Sequence, residues 1–417
     1  MRLTFCILLI TATFLFADGR FYRQYWAEFD ENISNHKDGR WRVNDPQLAL
    51  HDTFGKRSEA LANGLVLLNA PESLFDLEYG ELYLEMWGGH PHTTNKRVTA
   101  NGKSVYDIPD FGASDGHCVY AYPSIKIEPA HLVNGVNALQ FSCDRGHGFW
   151  GHFIMDNVAL RCVYKPDSLI KRFPELEKFS ARVNAPAVIQ NERADVSLDI
   201  PAEFISHIES VEFLGKYIGF DENGNVENSD WHGYTFKRAW THTLGNVTEA
   251  PFSVEWNTEN IPDQSEPMQF KAIIKMKNGL FYETDATSGS LLKRDRESVK
   301  LFYCNEAPVP FWSRAENLNV GKMYIPVEPK NIISAQLQIK IWDGGEGDVA
   351  EPFKINGFAY PITSKKAIHD VVHSVLEIDP SHLVKGDNEI TLLSDTHHHG
   401  IEVLRPGPCL ILRMENK

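Results

Sequence analysis

The chain contains one sequence unit twice, and this internal repeat constrains its fold more than any other feature. Residues 84–89, Leu-Glu-Met-Trp-Gly-Gly, align with residues 339–344, Ile-Lys-Ile-Trp-Asp-Gly. An Asn-Gly pair follows the tryptophan at the same distance in both copies, at Asn101 after Trp87 and at Asn356 after Trp342. Equal spacing indicates a duplicated structural unit rather than two unrelated matches.

A second pair of landmarks supports the duplication. Residues 128–137, which contain Pro129, align with residues 379–388, which contain Pro380. An aspartate ends the next apolar run at the same distance from each proline, at Asp144 and Asp395. The period is far too long for a solenoid repeat, so the sequence predicts two copies of one globular domain on either side of a different segment.

The length of 417 residues suits about three domains. We predict a signal peptide over 1–19, a first copy over 20–165, a central domain over 178–305 and a second copy over 306–417. Pro166 and Pro174 mark a linker before the central domain, and Pro308 and Pro310 mark the next boundary.

Short alternating apolar runs dominate the chain, and helical periodicity is scarce. Each run is four to eight residues long, rich in β-forming residues, and bounded by Gly, Pro, Asn or Asp. The sequence therefore predicts an all-β fold of three β-sandwiches. The runs include Leu82–Met86, Ala138–Ser142, Val158–Cys162, Gln336–Ile341, Glu389–Leu393 and Leu410–Met414.

The Leu-Val-x-Gly-x-Asn element of each copy is a turn that leads into a strand. We expect positive φ at Gly135 and Gly386, with Asn137 and Asn388 holding the turn by side-chain hydrogen bonds. With the preceding Asn-Gly hairpin, this element resembles galactose-binding-like jelly-roll domains, which occur in carbohydrate-binding modules and as accessory domains of glycoside hydrolases. The resemblance implies a jelly roll for each copy.

The central segment resembles the immunoglobulin-like or fibronectin-like spacer domains of secreted carbohydrate-active proteins. Its predicted strands include Ala194–Ile200, Val211–Phe213, Phe252–Trp256, Phe270–Met276 and Val299–Tyr303. The resemblance implies an immunoglobulin-like sandwich between the two jelly rolls.

Charge and the N-terminal segment constrain the partners and the location. The net charge of −15 disfavours nucleic acid and anionic membranes. Arg2, the apolar run Leu3–Phe16 and the small residues Ala17–Gly19 have the pattern of a secretory signal peptide. We therefore expect a protein that is secreted, extracellular or periplasmic, without membrane insertion.

Five cysteines follow the signal segment, at positions 118, 143, 162, 304 and 409. An exported protein can form disulfides, and an odd number leaves at least one thiol unpaired within the chain. We predict a Cys118–Cys143 disulfide, because each cysteine ends an apolar segment of one domain.

Histidines cluster in predicted loops of the first copy, and they are candidate ligands for zinc or copper. The candidate metal ligands are His90, His92, His147 and His152, with His117 nearby. Neither a His-Glu-x-x-His helix nor a pair of Cys-x-x-Cys motifs supports a metal site. Sugar contact and purely structural hydrogen bonding are the alternatives.

The loop Asp395–Glu402 of the second copy places three adjacent histidines between two acids. An imidazole between carboxylates can act as a base, so Asp395, His398 and Glu402 are candidate catalytic residues. Candidate ligand contacts lie nearby in the second copy, at Trp312, Arg314, Trp342 and Asp343. Paired carboxylates in the loop 343–348 suit glycosidic hydrolysis or calcium binding. The alternative is an interdomain seam in which these side chains bond the central domain.

A third candidate site lies in the central segment. Asp221, Asn223 and Asn225 surround a glycine as in the first part of a calcium loop, although the EF-hand pattern is not met. Trp231 and His232 follow, and tryptophan faces suit the apolar faces of sugars. A polar hairpin turn and a buried tryptophan are the structural alternatives.

These features favour a secreted protein that binds an extracellular or cell-wall glycan. The first alternative is a polysaccharide-degrading hydrolase or lyase with its site in the second copy. The second alternative is a structural or adhesive scaffold. A pocket with two carboxylates roughly 5–9 Å apart favours hydrolysis, whereas an aromatic surface without such a pair favours binding.

Overall fold

The computed structural model describes residues 19–28, 41–44, 64–89, 93–111, 116–144, 152–225, 229–294, 297–397 and 399–415. Strands form almost all of the regular structure in this part of the chain. The predicted all-β, multi-sandwich fold is confirmed. Strand β3 (Leu65–Ala70) shows the physical reason, because its residues alternate between exposed and buried along the strand.

The first third of the chain forms a sandwich of two sheets. A four-stranded sheet of order β3-β9-β5-β6 faces strands β1, β10, β4 and β8 of a larger sheet. Leu82, Leu84, Phe141 and Leu160 fill the space between the sheets. The strands are β1 Arg20–Trp26, β2 Trp41–Asn44, β3 Leu65–Ala70, β4 Leu77–Trp87, β5 Thr94–Ala100, β6 Ser104–Asp107, β7 Tyr120–Ala121, β8 Ser124–Ile127, β9 Gly135–Asp144 and β10 His152–Tyr164.

The middle third begins with the helix α1 (Pro166–Arg172) and continues as a second sandwich. A three-stranded sheet of order β11-β13-β19 packs through Val196 and Trp256 against Phe213 and Phe270. The strands are β11 Arg182–Asn184, β12 Val188–Ile189, β13 Arg193–Asp199, β14 Ile208–Ile218, β15 Ser229–His232, β16 Tyr234–Phe236, β17 Ala239–Thr241, β18 Gly245–Val247, β19 Ser253–Asn257, β20 Gln269–Met276, β21 Phe281–Glu283 and β22 Leu291–Leu292.

The last third forms a third sandwich around Leu337, Ile339, Ile390 and Leu410. A four-stranded sheet of order β25-β30-β27-β28 packs on a six-stranded sheet. The strands are β23 Glu297–Tyr303, β24 Trp312–Ser313, β25 Asn319–Ile325, β26 Ile332–Asp343, β27 Phe353–Ile355, β28 Phe358–Ala359, β29 Asp370–Ile378, β30 Gly386–Leu392, β31 Ile401–Val403 and β32 Cys409–Glu415.

Short 3₁₀ helices lie at Leu74–Asp76, Pro129–His131, Pro174–Leu176, Ala202–His207, Pro329–Asn331 and Pro380–His382.

The first and last sandwiches share one strand order. The sheet β3-β9-β5-β6 corresponds to β25-β30-β27-β28, and the series β1-β10-β4-β8 corresponds to β23-β32-β26-β29. The equivalent tryptophans end equivalent strands, Trp87 on β4 and Trp342 near the end of β26.

The turn residues aligned in the two copies make the same hydrogen bonds. Asn101 Nδ2 donates to Asn137 Oδ1 at 2.9 Å, and Asn356 Nδ2 donates to Asn388 Oδ1 at 2.7 Å. The glycine of each turn has positive φ, 108° at Gly135 and 105° at Gly386. The repeat therefore preserves a contact between side chains that are 36 positions apart in the first copy and 32 in the second.

The first and middle sandwiches share one continuous sheet. Strand β1 pairs with β10 on one side and with β21 on the other, with Arg20 opposite Glu283 and Tyr22 opposite Phe281. Arg20 Nε also donates to Glu283 Oε2 at 3.0 Å across this joint.

The proposed division of the chain differs from the strand pairing at one place. The sequence predicts Val299–Tyr303 as part of the central domain, ending at residue 305. In the structure β23 pairs along its whole length with β32, so it belongs to the last sheet. An isolated apolar run does not specify its partner. The domain boundaries therefore stay a prediction, with β23 reassigned.

The predicted Cys118–Cys143 disulfide is wrong, because none of the five described cysteines, at positions 118, 143, 162, 304 and 409, forms one. Cys143 lies inside the first sandwich and directs its thiol to the Val43 carbonyl. Cys118 lies in a different cluster, on the opposite face of the larger sheet with Trp87 and Leu404.

Within the described ranges, no helix is both long enough and apolar enough to cross a membrane.

Candidate functional site

A hairpin of the middle sandwich inserts between the other two and defines a junction, the region around β16, β17 and the ends of β4 and β26. Glu85 of β4 is fully buried and accepts hydrogen bonds from the Lys237 and Arg238 amides at 2.8 and 2.9 Å, and from Thr235 Oγ1 at 2.7 Å. Burial raises the pKa of Glu85 to about 7, although these hydrogen bonds act against the shift. On the other side, Lys237 forms an ion pair with Asp370 of the last sandwich.

The predicted calcium loop is a second part of this junction. Asp221, Glu222 and Asn223 are all buried, and Asn223 Oδ1 accepts from the Tyr122 amide at 3.0 Å. Lys340 of β26 reaches in from the last sandwich and donates to the Glu222 carbonyl at 2.6 Å. Burial lowers the pKa of Lys340 to about 8. The loop therefore connects all three sandwiches.

His232, a predicted ligand contact, is buried in the same region. Its ring stacks on Tyr217, and its Nδ1 lies 3.1 Å from Glu222 Oε2. Burial raises the pKa of Glu222, but His232, His242 and Lys340 together outweigh burial and lower the value to about 2. Glu222 also lies near His242. The rings of His242 and His373 are in turn joined by a 3.0 Å hydrogen bond.

The two equivalent tryptophans meet at the junction, and the candidate catalytic Glu402 lies beside them. Trp87 and Trp342 have ring centroids 6.5 Å apart. Glu402 is 7% exposed and lies against Cys118 and Trp87 of the first sandwich. Burial raises the pKa of Glu402 to about 7, although the polar groups of these two residues act against the shift. Its carboxyl group thus faces the interior between two sandwiches.

The other candidates of the second copy separate into different surroundings. Asp395 Oδ1 accepts from the Asp348 amide at 2.8 Å, and Asp343 Oδ2 accepts from the Ser364 amide at 2.9 Å. Trp312 lies opposite Glu402 in the sheet, and the Arg314 guanidinium lies 4.5 Å from the centroid of the Trp312 ring. His398 lies outside the described residues. The role of Asp395, His398 and Glu402 as a catalytic set stays a prediction.

The remaining predicted contacts do not converge. The Nζ of Lys271 lies 4.2 Å from the centroid of the Trp231 ring. His152 is buried, with its ring centroid 5.4 Å from that of Trp87. His90, His92 and His147 lie outside the described residues, so the metal site stays a prediction. Among the residues that the structure does describe, no group of three His, Cys, Asp or Glu side chains is arranged to hold a metal ion.

A cleft of about 820 Å³, here named the aromatic cleft, lies between the first and last sandwiches and was not predicted from the sequence. Four aromatic side chains and three polar ones line it, together with small or apolar residues. Tyr324 is half-exposed. The described lining is His117, Leu301, Phe302, Tyr303, Cys304, Asn305, Ala307, Val309, Phe311, Tyr324, Val403, Arg405, Pro406 and Gly407.

The cleft was missed because its residues come from separated segments. The signal in the sequence is an aromatic concentration, Phe302, Tyr303 and Phe311, around Pro308 and Pro310. Those prolines by themselves predict only a domain boundary.

No family model matches the chain, and no curated protein matches it. Similar solved structures include a β-porphyranase of glycoside hydrolase family 86 from Bacteroides plebeius, with 14% identity over 57% of this chain and 37% of that one, at a TM-score of 0.23. Wild-type BuGH86 in complex with neoagarooctaose has 12% identity over 57% of this chain and 34% of that one, at a TM-score of 0.25.

A β-glucuronidase from an uncultured Clostridium species has 12% identity over 72% of this chain and 49% of that one, at a TM-score of 0.21. The chain thus spans between about one third and one half of these proteins. TM-scores at this level do not establish a common fold.

Proposed function

We propose that the protein binds a glycan in the aromatic cleft. The observation that carries the proposal is the composition of the described lining, which combines Phe302, Tyr303 and Tyr324 with the polar side chains of Asn305 and Arg405. Aromatic rings stack on the apolar CH faces of sugars, and a few polar groups fix the hydroxyls. A cleft of about 820 Å³ has room for a short oligosaccharide.

Binding is favoured over hydrolysis at this place. A glycosidase of the usual kind needs two carboxyl groups on either side of the scissile bond. Neither Asp nor Glu occurs in the part of the cleft wall that the structure describes. Glu402, the best candidate acid elsewhere in the second copy, is bonded within the junction.

The comparison of the two copies predicts one glycan site per chain. Strand register makes Trp26 of β1 the equivalent of Tyr303 of β23. In the first copy the central hairpin covers this position, and the Arg238 guanidinium lies 5.4 Å from the centroid of the Trp26 ring. In the second copy Tyr303 lines the cleft.

A glycan array followed by calorimetry tests the proposal. Tyr324→Ala removes a half-exposed ring from the cleft, and the loss of one stacking contact should weaken binding of the array hit about fivefold to tenfold. Phe75→Ala is the matched control, because Phe75 is an exposed aromatic residue of the first sandwich outside the cleft lining. Equal effects of the two changes, or no glycan bound by the natural chain, would refute the proposal.

The enzymatic alternative is tested with the same hit. Chromatography after prolonged incubation should show the oligosaccharide unchanged. If shorter products appear, and Glu402→Gln abolishes them without lowering the melting temperature, the site of the second copy is catalytic and the binding proposal is incomplete.

We also propose that the protein is exported. The support is the signal pattern of residues 1–19. Residues 1–18 lie outside the described part of the chain. N-terminal sequencing of protein recovered outside the cytoplasm should give a first residue between 18 and 20, and recovery only in the cytoplasm with Met1 intact would contradict it.

A further inference from the structure

Presupposing glycan binding in the aromatic cleft, we infer that the bound sugar carries an acidic group, a carboxylate or a sulfate, which Arg405 recognises. The described lining contains the guanidinium of Arg405 and the imidazole of His117 but neither Asp nor Glu. The whole chain carries a net charge of −15. The charge of the described cleft wall therefore has the opposite sign to that of the protein as a whole.

The turn that carries Arg405 is not required by the sandwich. In the first copy, β10 continues from Ile154 to Ala159 and is interrupted only by a β-bulge. By strand register, the residues equivalent to these two in the second copy are Glu402 and Cys409. Two additional residues in the second copy break the strand into β31 and β32. The break forms the turn of residues 404–408 and places Arg405 at the cleft.

All three sandwiches hold this turn in place. The Arg405 amide donates to the Cys118 carbonyl of the first sandwich at 2.9 Å, and the Leu404 amide donates to the Lys340 carbonyl at 2.9 Å. Gly224 of the middle sandwich packs so closely against the Arg405 Cβ that an added Cβ would lie 3.1 Å from it. The base of the side chain is therefore positioned before a ligand arrives, which lowers the entropic cost of binding.

A guanidinium is the side chain best suited to an acidic sugar. Its planar fork can donate two parallel hydrogen bonds to the oxygens of a carboxylate or a sulfate, and its five donors allow it to keep a protein partner as well. A neutral sugar offers no such acceptor pair. The acidic group would therefore add affinity to the stacking supplied by Tyr324 and Phe302.

Matched ligand pairs test the inference and separate the two acids. Oligogalacturonate is compared with its methyl ester, and a sulfated galactan oligosaccharide with its desulfated form. The natural chain should bind the acidic member of at least one pair tenfold or more tightly than the neutral member. This preference should shrink when NaCl is raised from 0.05 to 0.5 M, because salt screens the charge pair.

Arg405→Gln should weaken binding of the acidic member far more than binding of the neutral member, and should so reduce the preference to less than threefold. Arg405→Lys should retain part of it, since lysine keeps the charge but not the fork. Arg193→Gln is the control, because Arg193 pairs with Glu255 at the surface of the middle sandwich, outside the cleft lining, and should leave the preference intact. Melting temperatures verify that each variant is folded.

The outcomes distinguish the inference from the proposed function. Equal binding of acidic and neutral members by the natural chain, or an undiminished preference in Arg405→Gln, overturns the acidic-ligand inference and leaves glycan binding standing. Failure of both pairs and of the whole array to bind, or insensitivity of binding to Tyr324→Ala, overturns the proposed function and the inference with it.

Discussion

Trp87 and Trp342 occupy the same position in the two copies of the repeat, and their rings pack against each other with centroids 6.5 Å apart. The copies therefore meet through the same strand end, as the two halves of a symmetric dimer do within one chain. Ile154 lies opposite Trp87 on the neighbouring strand, and Glu402 lies opposite Trp342 at the equivalent position of the second copy. Since isoleucine suffices in the first copy, the sandwich itself does not require the buried carboxyl group of Glu402.

The first prediction concerns the pH dependence of Glu402→Gln. The pKa of Glu402 rises on folding from 4.5 to about 7, so the stabilising neutral form is fully populated below about pH 4.5. Its contribution is lost as the pH rises through 7. The free energy of unfolding of the natural chain should therefore fall between pH 5 and 8, and Glu402→Gln should remove roughly 1–3 kcal/mol of that fall.

Urea unfolding at several pH values measures this difference between the two proteins. Glu85 and His232 shift in the same direction, so some fall should persist in the variant. Parallel curves for the variant and the natural chain would show that Glu402 does not titrate in this range.

The second prediction concerns Glu85→Ala. This change leaves the Lys237 and Arg238 amides and Thr235 Oγ1 without their acceptor in a buried place. We expect the free energy of unfolding to fall by about 3 kcal/mol or more, with faster proteolysis of the central hairpin. Glu209→Ala is the control, because Glu209 pairs with Lys275 at the surface and should cost less than about 1 kcal/mol. Similar losses of stability for both variants would contradict the role of Glu85 in holding the junction together.

The third prediction compares Asn137→Ala with Asn388→Ala. Both side chains are fully buried, and each accepts a 2.9 Å hydrogen bond from the backbone amide four residues earlier. Because the two environments match, each change should reduce stability by a similar amount, about 2–4 kcal/mol. Gln336→Ala, an exposed amide, should have little effect. A large loss in one copy and none in the other would show that the turns are not equivalent.

The fourth prediction concerns the thiols. In the chain from residue 20 onward, all five cysteines are buried and none forms a disulfide. Ellman's reagent should react slowly with the folded protein and should titrate five thiols in guanidinium chloride. Reducing agent should leave the melting temperature unchanged. A titre of three would restore a disulfide such as Cys118–Cys143.

The sequence by itself was sufficient for the features that depend on near neighbours. Alternating apolar residues predicted strands such as β9 and β30, and the Asn-Gly pairs at Asn101 and Asn356 predicted the hairpin turns. These features follow from the two-residue period of a strand and from the few residues that tolerate positive φ. The all-β class and the repeat could therefore be recognised without a structure.

Tertiary structure alone decided which surfaces are covered. Glu402 has the sequence context of an exposed loop acid, but it is buried against Cys118 and Trp87, which lie 284 and 315 positions earlier in the chain. The run 299–303 pairs with β32 rather than with the central sheet, and its residues 301–303 line the aromatic cleft. The physical reason is that a side chain's exposure depends on what packs against it. A one-dimensional pattern specifies which face of a strand is apolar, but not which partner that face meets.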